Sequence, residues 1–168
     1  MTIQPEILKH IKSDVTPISF VWAQDSQGGI GYQGDLPWDL PGDMKFFKEV
    51  TWDEVVVMGR ITYESIPHPP LKNRVNMILT RNEDYQQPGA LVFNNPELLL
   101  KTALSCKKPI HIIGGSSLFS IYQDKVNVLF CTRISHDFPA DVFMPSIDLE
   151  QFKLVDSRQG VRDEHNKY

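Results

Sequence analysis

The chain has 168 residues, with 17 basic against 21 acidic side chains and a formal net charge of −4, a length that suits one domain with its own core. The slight acidity argues against a nucleic-acid partner, and no apolar stretch approaches the ~18 residues of a membrane span. Since the two cysteines, Cys106 and Cys131, show no metal or redox spacing, we expect a cytoplasmic protein without a metal site.

Apolar runs and helix signals alternate along the chain. Residues 1–17 form an N-terminal extension that could make a short amphipathic helix, and an apolar run predicts a strand over 18–24. A glycine-rich loop over 25–35 and a helix over 41–51, capped by Asp39, follow. The other predicted strands cover 54–58, 75–80, 90–93, 110–113, 126–135 and 152–156, and the other helices cover 60–65, 96–105 and 116–122.

This alternation predicts the fold class. Strands that alternate with short helices are typical of an α/β protein in which a central, mostly parallel mixed sheet is covered on both faces. We therefore expect a three-layer α/β/α domain over residues 18–168, with about four helices, of which the helix from Pro96 is capped by Asn95. Ligands of such sheets bind at the carboxyl ends of the strands.

The segment from Gly29 to Gly34 matches the G-x-G-x-x-G dinucleotide motif. In that motif a helix begins at the third glycine and directs its N-terminus at the pyrophosphate. Here Pro37 and Pro41 follow closely, and proline cannot continue such a helix. The glycines therefore indicate a mobile loop beside a site rather than a Rossmann fold.

One acid interrupts the apolar stripe of the helix predicted over 41–51. Leu40, Met44, Phe47 and Val50 follow helical spacing and predict its buried face, and Asp43 lies on the same face. An aspartate there is either a first-turn acid favoured by the helix dipole or a carboxylate kept for a ligand with two adjacent N–H donors. In the second case burial would raise its pKa, so that it could assist protonation near neutral pH.

Five motifs together resemble one known family. Ile30-Gly31 comes first, followed by Leu36-Pro37-Trp38-Asp39-Leu40-Pro41-Gly42-Asp43 and by Met58-Gly59-Arg60-Ile61-Thr62-Tyr63-Glu64-Ser65-Ile66. Ile112-Ile113-Gly114-Gly115 before a helix, and Thr132 on the next strand, complete the set. In order and spacing the motifs resemble dihydrofolate reductase of the bacterial type, over residues 18–168.

The resemblance implies a substrate site for dihydrofolate. Asp43 matches the acid that pairs with the 2-amino group and N3 edge of the pterin, and Thr132 matches the hydroxyl that supports it. Arg74 matches the arginine that clamps the α-carboxylate of the glutamate, a task suited to a planar fork of donors. The other residues implied around the substrate are Val21, Trp22, Met44, Phe47, Ile66, Leu71 and Ile113.

The resemblance also implies a site for NADPH. Arg60, Thr80 and Arg81 match positions around the adenosine 2′-phosphate, and Gly114-Gly115 matches a pair of glycines joined by a cis peptide bond. Gly59 and Ser116 open helices whose free N–H groups suit phosphates. The other implied cofactor residues are Ala23, Ile30, Gly31, Gly34, Leu36, Ile61, Thr62, Leu79, Ile113, Ser117, Leu118 and Phe119.

The implied reaction is hydride transfer from the nicotinamide to C6 of dihydrofolate, with a proton reaching N5. The loop over 25–38 would close over the nicotinamide, with Leu36 against the ring and Trp38 holding a water near the pterin. Asp43 would orient and polarise the substrate, while water would bring the proton. Antifolate inhibitors are expected partners, and the enzyme is expected to be a monomer.

Two features depart from the family pattern. Residues 1–17 have no counterpart in a minimal member, and family chains usually continue past residues 166–168 into a last strand, which we expect this sequence to lack. Two alternatives therefore stay open. One is a truncated homologue that binds folates with little turnover, and the other is a related reductase of a pteridine or pyrimidine, against which the spacing from Trp38 to Asp43 argues.

Overall fold

The computed structural model describes residues 11, 14–33, 36–160 and 162–167, so the helix considered for the N-terminal extension lies mostly outside the described residues. The strands are β1 (Ile18–Gln24), β2 (Gly29–Gly31), β3 (Val55–Gly59), β4 (Val75–Leu79), β5 (Ala90–Phe93), β6 (Ile110–Gly114), β7 (Val128–Arg133) and β8 (Val142–Phe143). The helices are α1 (Pro41–Thr51), α2 (Arg60–Ser65), α3 (Pro96–Ser105) and α4 (Ser116–Ile121), and a 3-10 turn covers Leu149–Gln151.

Six of the strands form one sheet in the order β5-β4-β3-β6-β1-β7, and every pairing within it is parallel. In the central register Ser19 of β1 lies opposite His111 of β6 and Val128 of β7. β2 pairs with β8 in a separate antiparallel ladder. The predicted mostly parallel α/β fold is therefore confirmed, and in the described part of the chain the antiparallel pairing is that of the small β2–β8 ladder.

Successive side chains of each strand point to opposite faces of the sheet, and each face has its own helices. Val57 packs in one cluster with Leu99 of α3 and with buried side chains of α4. Its neighbour Val56 packs on the opposite face with Tyr63 of α2, and Val50 joins α1 to that face. The chain thus has three layers, with α3 and α4 on one side and α1 and α2 on the other.

The two predicted helix caps had different outcomes. The side chain of Asn95 accepts hydrogen bonds from two N–H groups in the first turn of α3, which confirms that cap. The cap predicted at Asp39 was wrong, because Leu40 occupies the N-cap of α1 and makes no side-chain cap bond. Pro41 follows with the φ that a first helical turn needs, so α1 begins without a side-chain cap.

Three predicted segments differ from the observed strands. No strand forms over 152–156, where the described chain makes no ladder, and the strand predicted over 126–135 is limited to the six residues of β7. The loop predicted over 25–35 contains β2, which exists only through its partner β8. A strand forms only where a neighbouring segment pairs with its backbone. An apolar run without such a partner stays irregular, and a glycine-rich run with a partner becomes a strand.

Candidate functional site

Glycines stand at the carboxyl ends of β3 and β6, where the two strands lie side by side. A Cβ built on Gly59 would lie 3.7 Å from the backbone nitrogen of Gly115, and one built on Gly114 would lie 3.4 Å from Oγ1 of Thr62. The peptide bond between Gly114 and Gly115 is cis, and Gly114 has φ +134°, a conformation that favours glycine. Because these three positions lack side chains of their own, Leu118 and Thr62 pack close to the backbone, and Gly59 and Gly115 stay half-buried rather than fully buried.

Asp43 lies in the first turn of α1, which packs on one face of the sheet. Its carboxylate Oδ1 accepts a hydrogen bond of 2.7 Å from the hydroxyl of Thr132, near the end of β7. Burial raises the pKa of the Asp43 carboxyl above its ordinary value, and the Thr132 hydrogen bond offsets only part of that effect. The structure therefore brings together two residues that are 89 positions apart in the sequence, as the resemblance implied.

An apolar wall borders Asp43. Ile113 packs both against the cluster that contains Phe47 and against the cluster that contains Ile66 and Leu71. Val21 is buried in the first of these clusters. These five predicted substrate residues thus form a continuous surface from α1 across β6 to the segment after α2.

Two other predicted substrate residues are not part of this apolar wall. The expected burial of Met44 was wrong, because this residue is 48% exposed. The side chain of Trp22 projects from the opposite face of the sheet, where its ring lies 6.3 Å from that of Phe119 and its Nε1 donates to Gln24. Val21 and Trp22 are adjacent on β1, so their side chains must point to opposite faces.

Arg74 is held in a fixed orientation by three neighbours. Its Nε donates to the backbone oxygen of Lys72 (2.9 Å), one terminal nitrogen donates to Oγ1 of Thr51 (3.1 Å), and its guanidinium lies 5.5 Å from the ring centre of Trp52. Thr51 is itself fully buried. The sequence analysis missed Thr51 and Trp52. They could have been suspected because they lie at the end of the helix that carries Asp43. A guanidinium held in this way is preorganised for a carboxylate.

Trp38 and Leu36 differ in their surroundings. Trp38 is buried with Ala23, Leu40 and Ile134, and its Nε1 makes no hydrogen bond to any described residue. Leu36 is 45% exposed on the surface. A buried indole N–H needs an acceptor, which is consistent with the expectation that Trp38 holds a polar group of a ligand site.

The other predicted cofactor residues differ in their exposure. The side chains of Leu79, Leu118 and Phe119 are buried in the core, so only their backbone could reach a ligand, while Ile61 and Ser117 are exposed at the starts of α2 and α4. Ile30 and Gly31 form β2, Ser116 is half-buried at the start of α4, and Gly34 lies outside the described residues.

The basic residues predicted at the cofactor site are exposed. Arg60 forms an ion pair with Glu64 at 2.8 Å, and Arg81 makes none with a described residue. Oγ1 of Thr80 accepts the N–H of Asn82, and the side chain of Asn94 donates to the Thr80 backbone oxygen. The sequence analysis missed both asparagines, which fix the turn that carries Arg81.

Two absences apply to the described part of the chain. None of its helices has the length and apolar character that crossing a membrane requires. Among the same residues, no group of histidine, cysteine and acidic side chains is placed to hold a metal ion.

The chain was compared with known proteins. A family model described as dihydrofolate reductase matches residues 17–168. Dihydrofolate reductase of Bacillus subtilis (strain 168) is 39% identical over 154 residues (90% of this chain, 89% of the relative), and that of Enterococcus faecium is 37% identical over 149 residues (88% and 89%). A solved structure of dihydrofolate reductase from Enterococcus faecalis, complexed with NADP(H) and RAB-propyl, has a TM-score of 0.82 and 41% identity and covers 90% of each chain. With this agreement across nearly the whole sequence, the chain belongs to the dihydrofolate reductase family.

Proposed function

We propose that this chain reduces 7,8-dihydrofolate to 5,6,7,8-tetrahydrofolate with NADPH. The observation that carries the proposal is the Asp43 carboxylate, which is hydrogen-bonded to Thr132 on the α1 face of the sheet, where Phe47 and Ile113 pack. The pterin presents a 2-amino group next to a ring N–H, and a carboxylate with one lone pair held by Thr132 can accept both. The relatives described as dihydrofolate reductase support the assignment.

Each side chain near Asp43 suits one part of the substrate. The wall of Phe47, Ile66 and Ile113 offers an apolar slot to the pterin and benzoyl rings. Arg74, oriented by Thr51 and Trp52, would clamp the α-carboxylate of the glutamate. The substrate is then held at both ends, which fixes C6 in one place.

The glycines at the carboxyl ends of β3 and β6 fit a dinucleotide. Gly59, Gly114 and Gly115 bring the starts of α2 and α4 together without side chains of their own, while the exposed guanidinium of Arg81 suits a 2′-phosphate. When bound, NADPH supplies the hydride that reduces C6. Leu36 and Trp38 belong to the segment that would exclude water from this place, and the unpaired Nε1 of Trp38 would hold a water near the pterin.

Asp43 acts in this proposal by orienting and polarising the pterin. It contacts the edge of the ring far from N5, so a water molecule rather than the carboxyl brings the proton. The monomeric state and the cytoplasmic location stay predictions from the sequence.

The direct test is NADPH oxidation by the purified chain, followed by the loss of cofactor absorbance, with dihydrofolate as the varied substrate. We expect turnover that a diaminopyrimidine antifolate blocks, because such an inhibitor offers Asp43 the same pair of N–H donors. Tight antifolate binding without turnover would favour the folate-binding alternative. Turnover of another pteridine or of a pyrimidine in preference to dihydrofolate would favour the related reductase.

Arg81→Ala tests the cofactor assignment. An ion pair with the 2′-phosphate stabilises only NADPH, so we expect the KM for NADPH to rise about tenfold while the KM for NADH stays within about twofold. Steady-state kinetics with both cofactors would measure this. The matched control is Lys101→Ala, which removes an exposed cation from α3. Equal changes for NADPH and NADH would show that Arg81 does not bind the phosphate.

A further inference from the structure

A buried carboxylate at the end of β1 joins two loops, and none of the roles proposed above uses it. Asp25 is only 2% exposed. Its Oδ1 accepts the N–H groups of Gln27 (2.9 Å) and Gly29 (2.7 Å), and its Oδ2 accepts the N–H of Phe138 (3.0 Å). Phe138 lies 113 positions further along the chain, after β7. One side chain therefore ties the segment before β2 to the segment before β8.

The two segments are also in close contact around Asp25. A Cβ built on Gly29 would lie 2.7 Å from Cβ of Ala140 and 3.1 Å from both Asp25 oxygens. The backbone N–H of Ser26 donates to the oxygen of His136, and the β2–β8 ladder continues the contact. The two segments therefore pack tightly against the Asp25 carboxylate.

We propose that Asp25 is a positioning residue for the reaction, because its carboxylate locks segment 26–31 to segment 136–141 and so sets the loop that leads to Leu36 and Trp38. The inference rests on the proposed function, in which that loop excludes water from the nicotinamide. Both segments start at the carboxyl edge of the sheet, where β1 and β7 are neighbours. If the loop is anchored at this edge, the position of its later part, which includes Leu36 and Trp38, is fixed near the expected cofactor.

Only a carboxylate satisfies all three N–H donors. Burial by itself raises the pKa of the Asp25 carboxyl, but the hydrogen bonds from Phe138, Gly29 and Gln27 outweigh it, so the pKa is lowered and the group is ionised at neutral pH. An asparagine has one oxygen and one NH₂ group. It must therefore direct a donor either at Phe138 or at Gly29, and one side of the lock opens.

The first test compares Asp25→Asn with Glu54→Gln, which makes the same change to another buried carboxylate at the opposite edge of the sheet. We expect Asp25→Asn to lower the single-turnover hydride-transfer rate and to raise the KM for NADPH, each about tenfold. The Kd of a diaminopyrimidine antifolate for the free enzyme should change by less than about twofold, because Asp43 is untouched. Glu54→Gln should leave the rate and both constants unchanged.

The second test disturbs the junction while residue 25 remains an aspartate. Gly29→Ala adds a methyl group that must displace Ala140 or Asp25, whereas Gly160→Ala adds one where nothing lies within 4 Å. We expect Gly29→Ala to reproduce the kinetic pattern of Asp25→Asn and Gly160→Ala to behave as wild type. Hydrogen exchange at the Gly29 and Phe138 amides should quicken at least about tenfold in Asp25→Asn, and this measurement needs no turnover.

The outcomes separate the two proposals. A wild-type chain without turnover would refute the proposed function, and the exchange rates would still decide whether Asp25 locks the loops. Wild-type exchange in Asp25→Asn, an unchanged hydride-transfer rate in an active Asp25→Asn enzyme, or an equal loss of rate in Glu54→Gln would each overturn the role given to Asp25.

Discussion

Asp43→Asn is expected to remove most of the activity of this enzyme and at the same time to stabilise its fold at neutral pH. The activity falls because an amide presents one acceptor and one donor where the pterin edge presents two donors. A hydrogen bond to a charged group contributes about 1.5–3 kcal/mol, so we expect kcat/KM for dihydrofolate to fall about a hundredfold.

The stability gain follows from the direction of the Asp43 pKa shift. Burial raises this pKa above its ordinary value of 3.8, so the folded protein holds the proton more tightly than the unfolded chain does. Below the unfolded-chain pKa the carboxyl is neutral in both states and costs nothing. As the pH rises through the unfolded and then the folded pKa, the buried charge lowers the free energy of unfolding. Asparagine carries no charge and avoids that cost.

Thermal unfolding of both proteins across pH measures the effect. We expect Asp43→Asn and the wild type to melt alike near about pH 3 and the variant to melt higher near about pH 7. Asp39→Asn, which changes an exposed acid on the same segment, is the control and should match the wild type in stability and activity. A variant that keeps kcat/KM, or that melts lower than the wild type at neutral pH, would contradict the role of Asp43.

Glu54→Ala is expected to destabilise the fold by about 3 kcal/mol while it leaves the site intact. Oε1 of Glu54 lies 2.7 Å from Nε2 of His111, whose Nδ1 lies 2.6 Å from Oγ of Ser19. All three side chains are buried, and they join the amino ends of β1, β3 and β6. Without Glu54, Nε2 of the buried His111 ring loses its hydrogen-bond partner and only the Ser19 contact remains. The neighbouring ring of Phe130, 6.2 Å away, offers no replacement.

Calorimetric melting would show this loss as a fall in Tm of roughly 10 °C. The kcat of the folded enzyme at room temperature should stay within about twofold of wild type, because the carboxyl edge is untouched. Glu83→Ala, which removes an exposed acid, is the control for the lost charge. An unchanged Tm would mean that the Glu54–His111–Ser19 chain contributes nothing to stability, and a large loss of kcat would place it in the machinery of the site.

The sequence by itself determined the features that depend on residues close together in the chain. The apolar runs of β1 and β5 and the helix from Pro41 appear within the limits predicted for them. Asn95 caps α3 because a cap needs only the N–H groups of the next turn. The resemblance of the motifs to the family implied the fold of that family. Asp43 and Thr132 could therefore be assigned to one site although they are far apart in the sequence.

Only the tertiary structure decided which distant residues meet. In the sequence, Asp25 is only the first residue of a glycine-rich loop, whereas in the structure its carboxylate accepts the N–H of Phe138. Similarly, no local pattern predicts the contact between Ser19 and His111, 92 positions apart. The strand expected over 152–156 did not form for the same reason, since its pairing was not encoded in its own residues. Strand pairs and buried polar contacts depend on neighbours that folding brings together, whereas periodicity reports only the side that a residue faces.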